Sequence, residues 1–191
     1  MGILHRDISI GNILIAEDEN EGFLIDLDHA VRVDREGSSG AKGRTGTKVF
    51  MSIGLLLQSD SERRLPHSFM DDLESVFWLL FWICVHYSGP GEHRRSRNVA
   101  GFEWWNFLSL SKLGGVKAGE ISDGGDFLDK ARHHFTGFYQ PLARWVNELR
   151  REVFPGGVRW KVEDISLYDR MRFVLERAME DPFVKADWSD C

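Results

Sequence analysis

The residues best suited to catalysis lie near the start of the sequence, where His5-Arg6-Asp7 is followed, after four further residues, by Asn12. An aspartate in this position can orient a substrate hydroxyl and accept its proton, and an asparagine five residues later can bind a magnesium ion. Together these groups suit phosphoryl transfer, which needs a positioned hydroxyl and cations beside the phosphate oxygens. Asp7 and Asn12 are therefore candidate catalytic residues, although short motifs recur by chance and both side chains could instead cap turns.

A predicted β-hairpin follows this motif and leads to two further carboxylates. Apolar runs at 12–15 and 23–25 flank a polar segment that ends in Gly22, a pattern typical of a hairpin. In kinases the catalytic loop is followed by a hairpin and then by an aspartate that holds magnesium across the β- and γ-phosphates. The layout predicts Asp26 as a magnesium ligand beside Asn12, with Asp28 as a second carboxylate near the metal.

Two later segments resemble parts of protein kinases. Residues 44–52 (RTGTKVFMS) resemble the end of an activation segment, in which the Thr of a Gly-Thr pair hydrogen-bonds the catalytic Asp. Thr47 has that place. Residues 70–77 (MDDLESVF) resemble the start of the central C-lobe helix in casein kinase I. This resemblance implies that Asp72 accepts hydrogen bonds from the catalytic-loop backbone.

Taken in order, these segments resemble the fungal-type protein kinase family, from about residue 4 to about residue 86. The resemblance implies a mainly α fold with a small β-hairpin, namely a protein-kinase-like C-terminal lobe spanning 1–191. It implies an activation segment over about 26–54 and a helical subdomain over about 68–180. It also implies ATP and Mg²⁺ as cofactors and a Ser or Thr hydroxyl of a protein as the phosphate acceptor.

The sequence departs from the usual kinase pattern at three places. Ser9 stands where protein-serine/threonine kinases usually have a lysine that contacts the γ-phosphate, so one transition-state cation is missing. The fungal-type family also carries Ser there, so Ser9 is kept as a catalytic-loop candidate. Asp28 replaces the glycine of D-F-G and removes its backbone freedom. Residues 52–55 (SIGL) stand where an A-P-E tripeptide would be, as in casein-kinase-like sequences.

His5, Arg6 and Thr45 are candidate structural or regulatory residues. The polar, Gly- and Ser-rich segment 33–42 predicts a mobile loop that orders on substrate binding or phosphorylation. The Arg of H-R-D often pairs with an activation-loop phosphate, and pairing of Arg6 with a local carboxylate is an equal alternative. The hydroxyls that could carry such a phosphate are Ser38, Ser39, Thr45 and Thr47.

The composition narrows the function classes. The sequence has 191 residues, a net charge of −6 and a pI near 5.6, which argues against a general nucleic-acid-binding surface. The basic cluster at 93–97 is predicted to be a solvated loop. Cys84 and Cys191 give no disulfide framework, which favours an intracellular setting. The apolar run 76–85 is shorter than the roughly 20 residues that span a bilayer, so it predicts a buried helix and no membrane partner.

Beyond this run the sequence predicts further helices. Aromatic residues around Trp104 predict a short packed helix, and five glycines within 111–125 predict a loop. Helical spacing of apolar residues then predicts helices over 127–134, 138–153 and 165–179.

Some parts of a working kinase are not found before Asp7. Neither a Gly-rich loop nor a strand lysine precedes it, and the glycines at 37–40 follow the metal aspartate. We therefore expect the ATP-binding N-lobe to be absent from this chain and the chain to be weak or inactive alone. Its lobe–lobe face should then bind an N-lobe or a partner protein.

Two other functions remain open. Small-molecule kinases of the aminoglycoside or choline type use H-x-D-x-x-x-x-N and a strand end that matches 25–28, but they lack the segments at 44–52 and 70–77. A non-catalytic, pseudokinase-like interaction module would fit a missing N-lobe. Retention of Asp7 and Asp26 argues against that alternative.

Overall fold

The fold is described from a computed structural model, which covers residues 2–16, 21–33, 46–58, 66–93 and 102–188. The α-helices are α1 (Ile53–Leu57), α2 (Phe69–His86), α3 (Leu110–Ser122), α4 (Gly124–His134), α5 (Ala143–Val153), α6 (Leu167–Glu180) and α7 (Pro182–Trp188). The strands are β1 (Ile3–Leu4), β2 (Ile13–Ile15), β3 (Gly22–Leu24), β4 (Val31–Arg32), β5 (Tyr87–Gly89) and β6 (Glu92–His93). The prediction of a mainly helical fold with a small β-hairpin is confirmed.

Two strand pairs frame the N-terminal motif. β2 and β3 form the predicted antiparallel hairpin, with Ile13 opposite Leu24 and Ile15 opposite Gly22. β1 pairs antiparallel with β4, a contact that no local pattern predicted. β1 lies just before Asp7, and β4 lies just after Asp26. Their pairing therefore brings the chain around Asp7 close to the chain around Asp26.

α2 is the central buried helix. It begins with a capping box, in which the Ser68 hydroxyl accepts from the Met70 N–H and the Asp71 carboxylate accepts from the Ser68 N–H. Phe77 and Trp78 are fully buried and lie edge to face, with ring centroids 5.0 Å apart. Burial of one such aromatic side chain contributes about 2–3 kcal/mol, so α2 anchors the core. The buried helix predicted at 76–85 is confirmed.

The loop predicted at 111–125 is wrong, because α3 and the first turn of α4 lie there. The Ser109 hydroxyl caps α3 by accepting from the Lys112 N–H. Gly114 faces α1, and a Cβ at this position would lie 2.8 Å from Leu57 Cδ2. This glycine therefore permits close helix packing, whereas the sequence interpretation took it as a loop signal.

The later helices lie close to their predicted positions. The helix predicted at 138–153 is a 3₁₀ segment, Gly137–Leu142, that contains Pro141 and leads into α5. The short helix around Trp104 is the 3₁₀ segment Glu103–Asn106. Its predicted packing is only partly right, because Trp105 is buried whereas Trp104 is 68% exposed.

Two further sequence predictions concern solvation and membranes. Within the basic cluster at 93–97 only His93 is among the described residues, and it lies exposed in β6. Among the helices of the described ranges, none has the length and hydropathy needed to cross a bilayer.

Candidate active site

Asp72 fastens the loop that carries Asp7. Its carboxylate accepts from the backbone N–H of His5, at 2.7 Å, and of Arg6, at 3.0 Å. The His67 ring Nε2 lies 2.8 Å from Oδ1 of the same carboxylate. Hydrogen bonds to a charged acceptor are stronger than neutral ones, so the first turn of α2 holds the backbone just before Asp7 in one place.

The backbone is strained at two places in this region. Arg6 has φ +70° and Asp26 has φ +62°, and no other non-glycine residue in the described ranges has a positive φ. A left-handed conformation costs roughly 1–2 kcal/mol for such residues and persists only where the surroundings impose it. Arg6 directly precedes the predicted catalytic residue Asp7, and Asp26 is itself a predicted metal ligand; such strain often concentrates at functional sites.

Two hydrogen bonds join the catalytic loop to the segment that carries Asp26. The His5 ring Nε2 lies 2.9 Å from the Ile25 carbonyl oxygen, and because a carbonyl only accepts, Nε2 must carry the hydrogen. The Ile25 N–H donates to the Asn12 carbonyl at 3.0 Å. Asp26 follows Ile25 directly, so this hydrogen bond at the base of the hairpin brings the backbone of Asp26 close to that of Asn12.

The side chains predicted to hold magnesium have a suitable donor set. The Asn12 Nδ2 donates to the Asp7 carbonyl at 2.9 Å, which leaves the amide oxygen for a ligand. Asp26 and Asp28 are exposed. Mg²⁺ prefers oxygen ligands and is usually held by one or two carboxylates together with substrate phosphates. Over the described ranges no group of three His, Cys, Asp or Glu could hold a metal.

Thr47 binds the predicted catalytic aspartate with two groups. Its backbone N–H donates to Asp7 Oδ1 at 2.9 Å, and its hydroxyl donates to the same oxygen at 3.2 Å. From the part of the chain that the structure describes, no donor reaches Asp7 Oδ2. Gly46 makes this approach possible, because its φ is +120° and a Cβ there would lie 3.1 Å from the Arg6 carbonyl.

The end of the predicted activation segment is fixed to α2 by residues that sequence reasoning missed. The Ser52 hydroxyl donates to Asp71 at 2.5 Å, and the Ile53 N–H donates to Glu74 at 2.7 Å. Glu74 is fully buried. Burial raises the pKa of its carboxyl to about 7, against the hydrogen bonds from Ile53 and Trp78 and the charge of Lys117. The available signal was a carboxylate just before the apolar run 76–85, one helical turn from its first residues.

The remaining predicted site residues are placed as follows. Ser9 is buried, and its carbonyl accepts from the Asn12 N–H at 3.1 Å. Arg6 makes no ion pair with any carboxylate of the described ranges, and its Nε is buried without a hydrogen-bond partner there. Thr45 lies outside the described residues, as do Ser38 and Ser39.

Apolar side chains cover the outer surface around the hairpin. Ile15, for example, is 72% exposed. We call this set the hairpin surface; it comprises Ile3, Leu14, Ile15, Phe23, Leu24, Leu27 and Val33, all about half exposed or more. Contiguous exposed apolar patches in soluble proteins commonly mark interaction sites.

One of three comparisons with known proteins found a match, and it agrees with the motifs. No curated protein and no solved structure shows significant similarity to this chain. Residues 1–84 match the sequence model of the family described as fungal protein kinase. The matched segment contains the catalytic-loop motif, the hairpin, the Gly46-Thr47 pair and most of α2. The family resemblance predicted from the motifs is thus supported by a family-model match to residues 1–84, which is less than half of the chain.

Proposed function

We propose that this chain is the C-terminal lobe of a fungal-type protein serine/threonine kinase, which transfers the γ-phosphate of ATP to protein hydroxyls. The observation that carries the proposal is the double hydrogen bond from Thr47 to Asp7 Oδ1. It joins the segment that would bind a polypeptide substrate to the group that would orient the substrate hydroxyl. A small-molecule kinase would not need this segment.

In the proposed reaction Asp7 works through its other carboxylate oxygen. Thr47 occupies Oδ1, so Oδ2 is the atom that accepts a hydrogen bond from the incoming Ser or Thr hydroxyl. The hydroxyl oxygen forms a bond to the γ-phosphorus while the bond from that phosphorus to the bridging oxygen breaks and ADP leaves. The hydroxyl proton passes to Asp7. Asp72 and Asn12 act by fixing the catalytic loop. The Asp72 carboxylate accepts from the N–H of Arg6, and the Asn12 side-chain amide donates to the Asp7 carbonyl.

The residues that would hold magnesium are the Asn12 amide oxygen and the Asp26 carboxylate, with Asp28 available as a further carboxylate. A bound magnesium ion would supply positive charge that offsets the charge on the phosphate oxygens. With few protein ligands, this site should bind magnesium mainly together with ATP. Ser9 supplies no positive charge, so the rate should depend strongly on these metal ligands.

The hairpin surface is the proposed contact for an ATP-binding lobe or for a partner protein that takes its place. Its exposed apolar side chains support this assignment, since burying the exposed half of each would contribute about 1 kcal/mol. Without that lobe, adenine would have few contacts, and we expect slow turnover or none.

The proposal is tested by incubating the protein with labelled ATP, magnesium and generic protein substrates. Both this chain and the longest polypeptide specified by its coding sequence are assayed. Asp7→Asn is the active-site variant, and Asp129→Asn, at an exposed carboxylate on α4, is the matched control. We expect transfer to Ser and Thr that Asp7→Asn abolishes and Asp129→Asn leaves unchanged.

The contradicting outcomes are distinct. Transfer that survives Asp7→Asn would remove Asp7 from the mechanism. Absence of transfer, with no ATP-dependent rise in melting temperature in either polypeptide, would favour the non-catalytic interaction module.

A further inference from the structure

Lys117, in the middle of α3, is a lysine with no contact to solvent. Its ammonium donates to the Met51 carbonyl at 2.7 Å. Met51 lies four residues after Thr47, in the segment that ends at α1. A lysine from a distant helix therefore holds the backbone of the segment that engages Asp7.

The surroundings of Lys117 favour one position of its ammonium group. The nitrogen lies 4.5 Å from the ring centroid of Trp78 and 5.6 Å from that of Trp105. Aromatic faces attract a cation, and more strongly when water is excluded. The two rings thus guide the side chain towards the Met51 carbonyl.

Glu74 is the carboxylate whose charge acts on Lys117, although no hydrogen bond or ion pair joins the two side chains. Its Oε1 accepts from the Ile53 N–H and from the Trp78 indole N–H, at 2.7 and 3.0 Å. Burial lowers the pKa of Lys117 well below its usual value, and the charge of Glu74 opposes that change. Lys117 and Glu74 together clamp the chain on either side of Ser52, one at a carbonyl and the other at an N–H.

Packing alone does not call for a lysine here. A methionine has similar length and would fill the same space, without the cost of placing a charged group away from water. What a methionine lacks is the donor to Met51. The hydrogen bond from Lys117 to the Met51 carbonyl fixes the position of the segment between Thr47 and Ile53, and a methionine could not make it.

We propose that Lys117 is a positioning residue for phosphoryl transfer, which holds the Met51 carbonyl and thereby keeps Thr47 on Asp7. This inference rests on the proposed function of the same site. Lys117 lies behind the segment, so it acts through Met51 and has no contact with the reacting atoms. Its loss should weaken the use of the polypeptide substrate more than the use of ATP.

The test compares the wild-type chain with Lys117→Met/Glu74→Gln. The paired change removes the charges of both Lys117 and Glu74, and Gln keeps an acceptor for Ile53. The matched control is Lys130→Met/Glu120→Gln, which removes a more exposed lysine–glutamate pair joined at 2.8 Å. Amide hydrogen exchange is measured at Thr47 and across the fold. We expect exchange at Thr47 to be about tenfold faster in the test variant, as for the loss of one hydrogen bond.

Exchange in α5 and α6 should stay unchanged in the test variant, and the control variant should match the wild type throughout. Wild-type exchange at Thr47 in the test variant would overturn the proposal, because Lys117 would then only neutralise Glu74. Equal acceleration everywhere, or failure of the variant to fold, would also overturn it by showing a general structural role.

A kinetic readout accompanies the exchange measurement. In the phosphoryl-transfer assay, kcat/KM for the protein substrate should fall about fivefold or more, while KM for ATP stays within about twofold of wild type. An unchanged kcat/KM for the protein substrate would contradict the proposal. If neither this chain nor the longest polypeptide specified by its coding sequence transfers phosphate or shows an ATP-dependent rise in melting temperature, the proposed function fails, and the exchange data still decide whether Lys117 positions Thr47.

Discussion

Substitution of Asp72 should release the catalytic loop. Its carboxylate accepts from the N–H groups of His5 and Arg6 and lies against the His67 ring. A hydrogen bond to a charged group contributes about 1.5–3 kcal/mol, and the buried N–H donors would have no substitute acceptor in Asp72→Ala. We expect Asp72→Ala to lower the free energy of unfolding by about 3–5 kcal/mol, and Asp72→Asn, which keeps one acceptor oxygen, by about 1.5–3 kcal/mol.

These losses are large beside the roughly 5–15 kcal/mol that stabilises a typical domain. Urea unfolding followed by tryptophan fluorescence and by circular dichroism measures them, and hydrogen exchange at the Arg6 amide locates them. Asp169→Asn is the control, because Asp169 is an exposed carboxylate on α6. Asp72→Asn within about 0.5 kcal/mol of wild type, with unchanged exchange at Arg6, would refute the reasoning.

Three further predictions concern Gly46, Thr47 and Glu74. Gly46→Ala should cost about 1–3 kcal/mol, because φ is +120° there, and a melting curve equal to wild type would contradict this. Thr47→Val should lower kcat without abolishing transfer, because the backbone N–H bond to Asp7 remains; Thr47→Ser should keep wild-type kcat. Burial raises the pKa of Glu74 from 4.5 to about 7. Between these pH values Glu74 is more protonated in the folded state than in the unfolded state, so its contribution to the free energy of unfolding should fall as pH rises. Lys117→Met/Glu74→Gln should lack this fall in urea titrations, and an identical pH profile would contradict the assignment.

The sequence predicted those parts of the site that depend on local patterns. The hairpin followed from two apolar runs with a polar segment between them, and α2 followed from a continuous apolar run. The places of Asp7, Asn12 and Asp26 followed from motif spacing. Asp72 was assigned from the family resemblance, and the structure puts its carboxylate on the loop backbone.

The features that sequence reasoning missed depend on tertiary contacts. The β1–β4 pair joins two-residue strands that are too short to show a pattern. The glycines of α3 were taken as loop signals, whereas the absence of a side chain at Gly114 allows α1 to pack closely against α3. Glu74 and Lys117 lie on different helices, and predicting their interaction requires knowledge of how α2 and α3 pack.

The central claim is that Asp7 orients and deprotonates a substrate hydroxyl during transfer from ATP. The most direct measurement is the rate of labelled phosphate transfer to protein Ser and Thr by wild type and by Asp7→Asn, at saturating ATP and magnesium. A positioned general base contributes about 10²–10⁴-fold to such rates. We predict a fall of at least about 100-fold in Asp7→Asn with an unchanged melting temperature. Equal and measurable rates in wild type and Asp7→Asn would contradict the account.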